Sequence, residues 1–204
     1  DNYKSISDLS EKELRLGGLR INPKTNIGSR VTFYNNVKIK KLKNKNGSVE
    51  QVSGLPDNPK LTNFAWSPDE TKIALTNTTE KGVELWVLDL ETASVVKLTD
   101  AILNANIGGV ITWQADSRSM LVKTLSKNRK PLIDTSSIVP DGPTISNNYG
   151  AKAQNRTYQD LLKNKSDEYN FEQLATSSIY KVSLNGSKEK WLDDAMYRLS
   201  LIHI

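Results

Sequence analysis

The chain has 204 residues, 37% of them hydrophobic and 25% charged, which excludes global disorder and allows one sizeable domain with a buried core. It contains no Cys and a single His, His203, so disulfides and thiolate sites are excluded, and any Ser-His-Asp triad or His-based metal site would have to be built on that one residue. The net charge of +5 is mild, and no stretch approaches the roughly 18–20 apolar residues of a membrane span.

The first residues, Asp1-Asn2-Tyr3-Lys4-Ser5, carry neither an initiator Met nor an apolar signal region, so the N-terminus reads as mid-chain. Residues 13–23 follow as a strand-like segment bearing Arg15 and Arg20, in which Gly17-Gly18 is expected to mark a bulge. Val37–Leu42 and Val49–Val52, joined by a turn at Asn44 to Gly47, read as a strand pair. Lys38, Lys40, Lys41, Lys43 and Lys45 crowd this pair without interleaved aromatics. They read as a solvated edge hairpin protected against edge pairing, not as a nucleic-acid surface.

A repeat then appears. Asn63–Leu75 resembles Val110–Val122, with Trp66 aligned on Trp113 and Asp69 on Asp116, 47 positions apart. That spacing suits four-stranded propeller blades of about 40–50 residues. Each Trp ends a β-rich run, a turn with an N–H-capping Asp follows, and a second apolar run returns. Val83–Leu88 and Val95–Leu98, around a turn at 89–94, complete a blade, and Ile179–Leu184 with Lys190–Leu192 repeat that outer pair. The expected fold is all-β: a partial β-propeller of about three four-stranded antiparallel blades, spanning residues 1–198.

The third blade carries a long insertion, about residues 126–177. Its first part, with Pro131, Pro140, Gly142 and Pro143, reads as irregular loop. Thr157-Tyr158-Gln159-Asp160 before Leu161-Leu162 resembles a capping box and predicts a short helix there. Phe171, Leu174 and Ala175 fit either a helical face or an extension of the next strand. Leu199–Ile204 is what the end sequence of a transposon-based sequencing adapter encodes, so residues 199–204 are read as a non-native tail, which would remove the only His from the native chain; a genuine alternating strand is the alternative.

Few constellations carry chemistry. Asp167-Glu168 and Asp193-Asp194 are adjacent carboxylates in loops and do not face each other across the roughly 5–10 Å that glycosidic chemistry needs. Gly17-Gly18 and Gly108-Gly109 lack a phosphate-binding pattern. Trp66, Trp86, Trp113 and Trp191 read as core or inter-blade packing, with a stacking platform for carbohydrate or peptide as the sharper alternative. Arg15, Arg20, Arg30 and Arg156 are either ties that hold loops or partners for an acidic ligand. No catalytic residue, metal ligand or cofactor site is identified.

Four strings carry a family resemblance: Glu13–Pro23, Glu84–Val87, Leu103–Gly108 and Arg156-Thr157-Tyr158-Gln159-Asp160-Leu161-Leu162. In this order they resemble the N-terminal propeller of prolyl oligopeptidase family serine peptidases, on the glutamyl endopeptidase branch. The resemblance implies a parent in which the propeller partners an α/β-hydrolase domain bearing a Gly-x-Ser-x-Gly elbow and restricts the access of peptide substrates to it. No such elbow occurs in these residues, so no catalytic residue carries over. The resemblance further implies cleavage after acidic residues, with Arg156, Arg15 and Arg20 as candidate substrate-binding residues, and an exported or periplasmic location. A non-enzymatic envelope propeller that binds proteins is the alternative.

Overall fold

The computed structural model describes residues 6–41, 47–134, 149–150 and 160–199. A short helix, α1 (Ile6–Ser10), precedes a three-stranded sheet of β1 (Leu14–Leu16), β2 (Leu19–Asn22) and β3 (Ile27–Gly28). A hairpin of β4 (Lys38–Lys40) and β5 (Val49–Gln51) follows. Two four-stranded antiparallel meanders come next. One holds β6 (Leu61–Trp66), β7 (Lys72–Thr79), β8 (Gly82–Asp89) and β9 (Ser94–Lys97). The other holds β10 (Ile111–Trp113), β11 (Ser119–Leu125), β12 (Ser177–Ser183) and β13 (Lys188–Ala195), with helix α2 (Lys165–Ala175) between β11 and β12.

These meanders are consecutive blades of a partial β-propeller. Their inner hairpins are built alike. Ser67 N donates to Lys72 O at 2.9 Å, and Gln114 N donates to Ser119 O at 2.9 Å. Asp69 Oδ1 accepts from Thr71 N at 3.1 Å, and Asp116 Oδ1 accepts from Arg118 N at 2.9 Å. Glu70 and Ser117, 47 positions apart, both adopt the left-handed conformation, with φ of 58° and 54°. Hydrogen bonding from Ser67 and from the Thr71 backbone draws the Asp69 carboxyl down to about 2.

Strict alternation assigns the core. On β8, Val83, Leu85 and Val87 face the next blade, while Trp86 and Leu88 face the preceding hairpin. The first set joins Ala74, Val110, Met120, Val122 and Val182 in the seam between the two blades. The second joins Val52, Leu61, Leu75 and Val95, with Val37 and Ile39 of the β4 segment packed on top. The first blade is thus only a two-stranded ladder among the described residues, not the four strands expected. The residues that precede it are engaged elsewhere, in the β1–β3 sheet.

Two expectations are corrected. Gly17-Gly18 is not a bulge. Leu16 pairs directly with Leu19, and the glycines have φ of 57° and 80°, so they form a two-residue hairpin turn that needs positive φ at both positions. The insertion helix does not begin at the Thr157–Asp160 string. Thr157, Tyr158 and Gln159 lie outside the described residues, and Asp160 has a φ of 58°, which no helix accommodates. The cap is Asn164, whose side chain accepts from Asp167 N at 2.8 Å, while Asp167 Oδ2 accepts from Lys163 N at 2.9 Å. Phe171, Leu174 and Ala175 lie on this helix.

Candidate functional site

Leu103 bridges both Val83 and Thr124, so the β7–β8 turn, the β9–β10 connection and the insertion all leave the blades at one end. The N-terminal sheet is drawn to that end. Ala105 N donates to Asn26 O at 2.9 Å, and Gly18 N donates to Asp160 O at 3.0 Å. Leu16, Ile21 and Leu174 form a small buried core there, with Leu14, Leu19 and Phe171 against it. Gly17 sits so close to the Phe171 ring that a Cβ would meet it at 3.0 Å.

Arg15 and Arg20 are directly opposed across the β1–β2 hairpin. Both reach Glu13. Arg15 Nε donates to Glu13 Oε1 at 2.9 Å, and Arg20 Nη1 reaches the same oxygen at 3.4 Å. Ser29 Oγ donates to Glu13 Oε2 and, ahead of the arginines, holds that carboxyl below its ordinary range. Arg20 also faces Asp160 at 3.4 Å. Arg20 is therefore clamped between two carboxylates, whereas the Arg15 side chain is 57% exposed. Arg156 lies outside the described residues, and Arg30 has no ion pair among them.

The helix is tied down by two asparagines. Asn104 Nδ2 lies 2.9 Å from Leu174 O, 3.1 Å from Thr176 O and 3.0 Å from Ser177 Oγ. Asn106 Nδ2 donates to Leu174 O at 2.9 Å. These amides supply donors to C-terminal carbonyls that a helix leaves unsatisfied. Nearby, Lys123 is fully buried, its Nζ donates to Ile107 O, and burial pushes its pKa down to about 8. A cavity of about 440 Å³ opens beside the N-terminal sheet, edged by Asp8, Glu11, Asp57 and Glu80 against Lys60. That balance suits neutral or cationic groups better than acidic ones.

The remaining candidates resolve locally. Asp194 accepts from Ser126, Asn128 and Ser178, and these bonds, that from Ser126 foremost, hold its carboxyl below the ordinary range. Asp167 serves the helix cap. Trp113 packs in the blade seam, and Trp86 flanks the second core while its Nε1 donates to Glu84 at 2.9 Å. Trp66 and Trp191 depart from the expected packing role: they are 59% and 53% exposed, because among the described residues no sheet covers their faces. Lys38, Lys40 and Lys41 belong to the exposed β4 segment, while Lys43, Lys45 and His203 lie outside the described residues. Leu199 pairs with Gly109. Among the described residues no group of three or more His, Cys, Asp or Glu is arranged to hold a metal, and no helix is long and apolar enough to cross a membrane.

No family model matches the chain. Two curated plant proteins do, both called "Probable glutamyl endopeptidase, chloroplastic". The Arabidopsis thaliana protein is 32% identical over 209 residues, covering 94% of this chain and 21% of its own length. The Oryza sativa subsp. japonica protein is 31% identical over 205 residues, with the same coverage. The chain thus spans about a fifth of the length of these relatives. Among solved structures, Pyrococcus horikoshii acylaminoacyl peptidase superposes with a TM-score of 0.39 at 17% identity, over 76% of this chain and 20% of that one. TolB from Acinetobacter baumannii superposes with a TM-score of 0.33 at 19% identity, over 76% of this chain and 37% of that one. The fold assignment rests on the chain's own repeated blades.

Proposed function

We propose that the chain is part of the propeller of a prolyl oligopeptidase family member on the glutamyl endopeptidase-like branch, the substrate-gating portion of a serine peptidase that cleaves after acidic residues. The observation that carries this reading is sequence identity of 32% sustained over 94% of the chain. Nucleophile, base and oxyanion donors belong, on this reading, to an α/β-hydrolase domain supplied by chain outside these residues. Residues 1–198 are its propeller portion, residues 126–177 an insertion in the third blade, and residues 199–204 an adapter-derived tail. The parent is placed in an exported or organellar compartment.

Within this reading, Arg156 and Arg15 are the arginines that meet the acidic side chain of the peptide. Arg20, clamped between Glu13 and Asp160, positions the hairpin that presents Arg15. The test is hydrolysis of Glu-containing peptides by the purified parent chain, with loss of activity under a serine-directed inhibitor. Arg156→Ala should weaken turnover of a Glu substrate more than that of its Gln counterpart, since a charged hydrogen bond is worth about 1.5–3 kcal/mol. Equal losses would make Arg156 a structural tie. A parent that binds proteins without hydrolysing any peptide would favour the envelope-propeller alternative.

A further inference from the structure

The seam between the second and third blades has two polar fasteners. Trp113 Nε1, at the end of β10, donates to Ala65 O of β6 at 2.9 Å. Asp69 N donates to Ser117 Oγ at 3.0 Å, joining the two inner turns. Both fasteners reach from the third blade back to the innermost strand and inner turn of the second.

Moved back by one repeat of 47 positions, Trp113 becomes Trp66 and Ser117 becomes Glu70. Trp66 ends its strand as Trp113 does, and Glu70 holds the same left-handed turn position as Ser117. Yet Trp66 is 59% exposed, Glu70 is exposed, and neither side chain has a hydrogen-bond partner among the described residues. A left-handed turn position favours Gly, and a Glu there needs another reason. Among the described residues, the face on which both lie is covered only at its outer part, by the β4–β5 hairpin packed on Leu75, Leu88 and Val95. At the near end of β6 the Tyr34 segment pairs with Leu61, and the Tyr34 and Phe64 rings meet edge to face at 5.7 Å. Among the described residues nothing covers the far end, at Trp66.

We propose that the first blade is composite. Its outer strands are β4 and β5, and its inner strands come from chain outside residues 1–204, with Trp66 Nε1 donating to a carbonyl of the innermost strand and the Glu70 carboxylate accepting a backbone N–H of its inner turn. Residues 14–28 cannot supply those strands while they form the β1–β3 sheet at the insertion, and the Tyr34 segment that follows them pairs with Leu61 instead. This proposal rests on the reading of the chain as part of a longer propeller, but its test does not depend on peptidase activity.

The experiment is hydroxyl-radical footprinting of the parent chain, read residue by residue by mass spectrometry and referenced to the same chain in denaturant. Trp66 should be oxidised severalfold more slowly in the native parent than in the unfolded one, with protection comparable to that of Trp113 and independent of protein concentration. Glu70→Ala should raise the Trp66 rate severalfold, and Glu70→Ser, which installs the residue that acts in the next seam, should restore it. Trp66 oxidised in the native parent as fast as in the unfolded one overturns the proposal. So does protection that appears only as concentration rises, which would assign the face to a second copy. A parent that shields Trp66 but cleaves no peptide would sink the peptidase reading and leave the composite blade standing.

Discussion

The indole N–H of Trp113 donates to the carbonyl of Ala65 across the blade seam at 2.9 Å. Apolar contacts between two sheets are non-directional, and this bond acts beside the Asp69–Ser117 bond between the inner turns. Together they fix the register at the inner edge, where β6 and β10 approach.

Trp113→Phe keeps the ring in the seam but removes the donor. The parent chain should lose about 1 kcal/mol of stability, the usual net worth of one such bond. Thermal unfolding of the variant against the wild type measures it, and a variant as stable as the wild type would reduce the bond to a bystander of apolar packing.

Asn104→Ala should cost more, about 2–3 kcal/mol, because it takes a donor from Thr176 O and Ser177 Oγ just past α2 and leaves Leu174 O to Asn106 alone. Hydrogen exchange should quicken in residues 165–175 before it changes in β6–β9. Uniform loss across both regions would contradict a local clamp.

Lys123 predicts a pH dependence. Burial lowers its pKa to about 8 from 10.5, so between these values the unfolded chain binds more protons than the folded one. Stability should therefore rise as pH increases from about 8 toward 10.5 through this group. Below about 8 the lysine is charged in both states and its burial penalty is constant. Lys123→Met should remove that rise and stabilise the chain near neutral pH by an amount of order 1–3 kcal/mol. Parallel stability curves for variant and wild type across this window would refute the assignment.

Residues 1–204 expressed alone should expose the inner half of the second blade, with Phe64 and Trp66 at its edge. About three blades cannot close a ring of typically four to eight. The isolated chain should bind hydrophobic dyes and aggregate or stay molten. A monodisperse monomer with a sharp cooperative transition would count against the propeller-fragment reading.

The blades were legible because their signals are local. The Trp-x-x-Asp turns and the alternation in β8 depend on residues within one hairpin. Tryptophan burial was not legible in the same way, since the exposure of Trp66 depends on what lies on the far side of its sheet. The helix start was misplaced because the Thr157-x-x-Asp160 string suggested a capping box, whereas Asp160 has a φ of 58° and the cap is Asn164. Arg15 and Arg20 stood out as residue types, but their joint hold on Glu13 requires the two-glycine turn that places them opposite each other. The Asn104 clamp joins positions 70 apart and leaves no local trace beyond an Asn pair in a loop.

The small core of Leu16, Ile21 and Leu174 also has a temporal side. Leu16 leaves the ribosome 158 residues ahead of Leu174, which at about 5–20 residues per second is roughly 10–30 s of synthesis. Through that interval the leucine face of the β1–β2 hairpin has no helix to cover it. The opposite face carries Arg15 and Arg20, so the waiting hairpin is charged on one side, the device by which sequences keep an unavoidable apolar strand from recruiting neighbours.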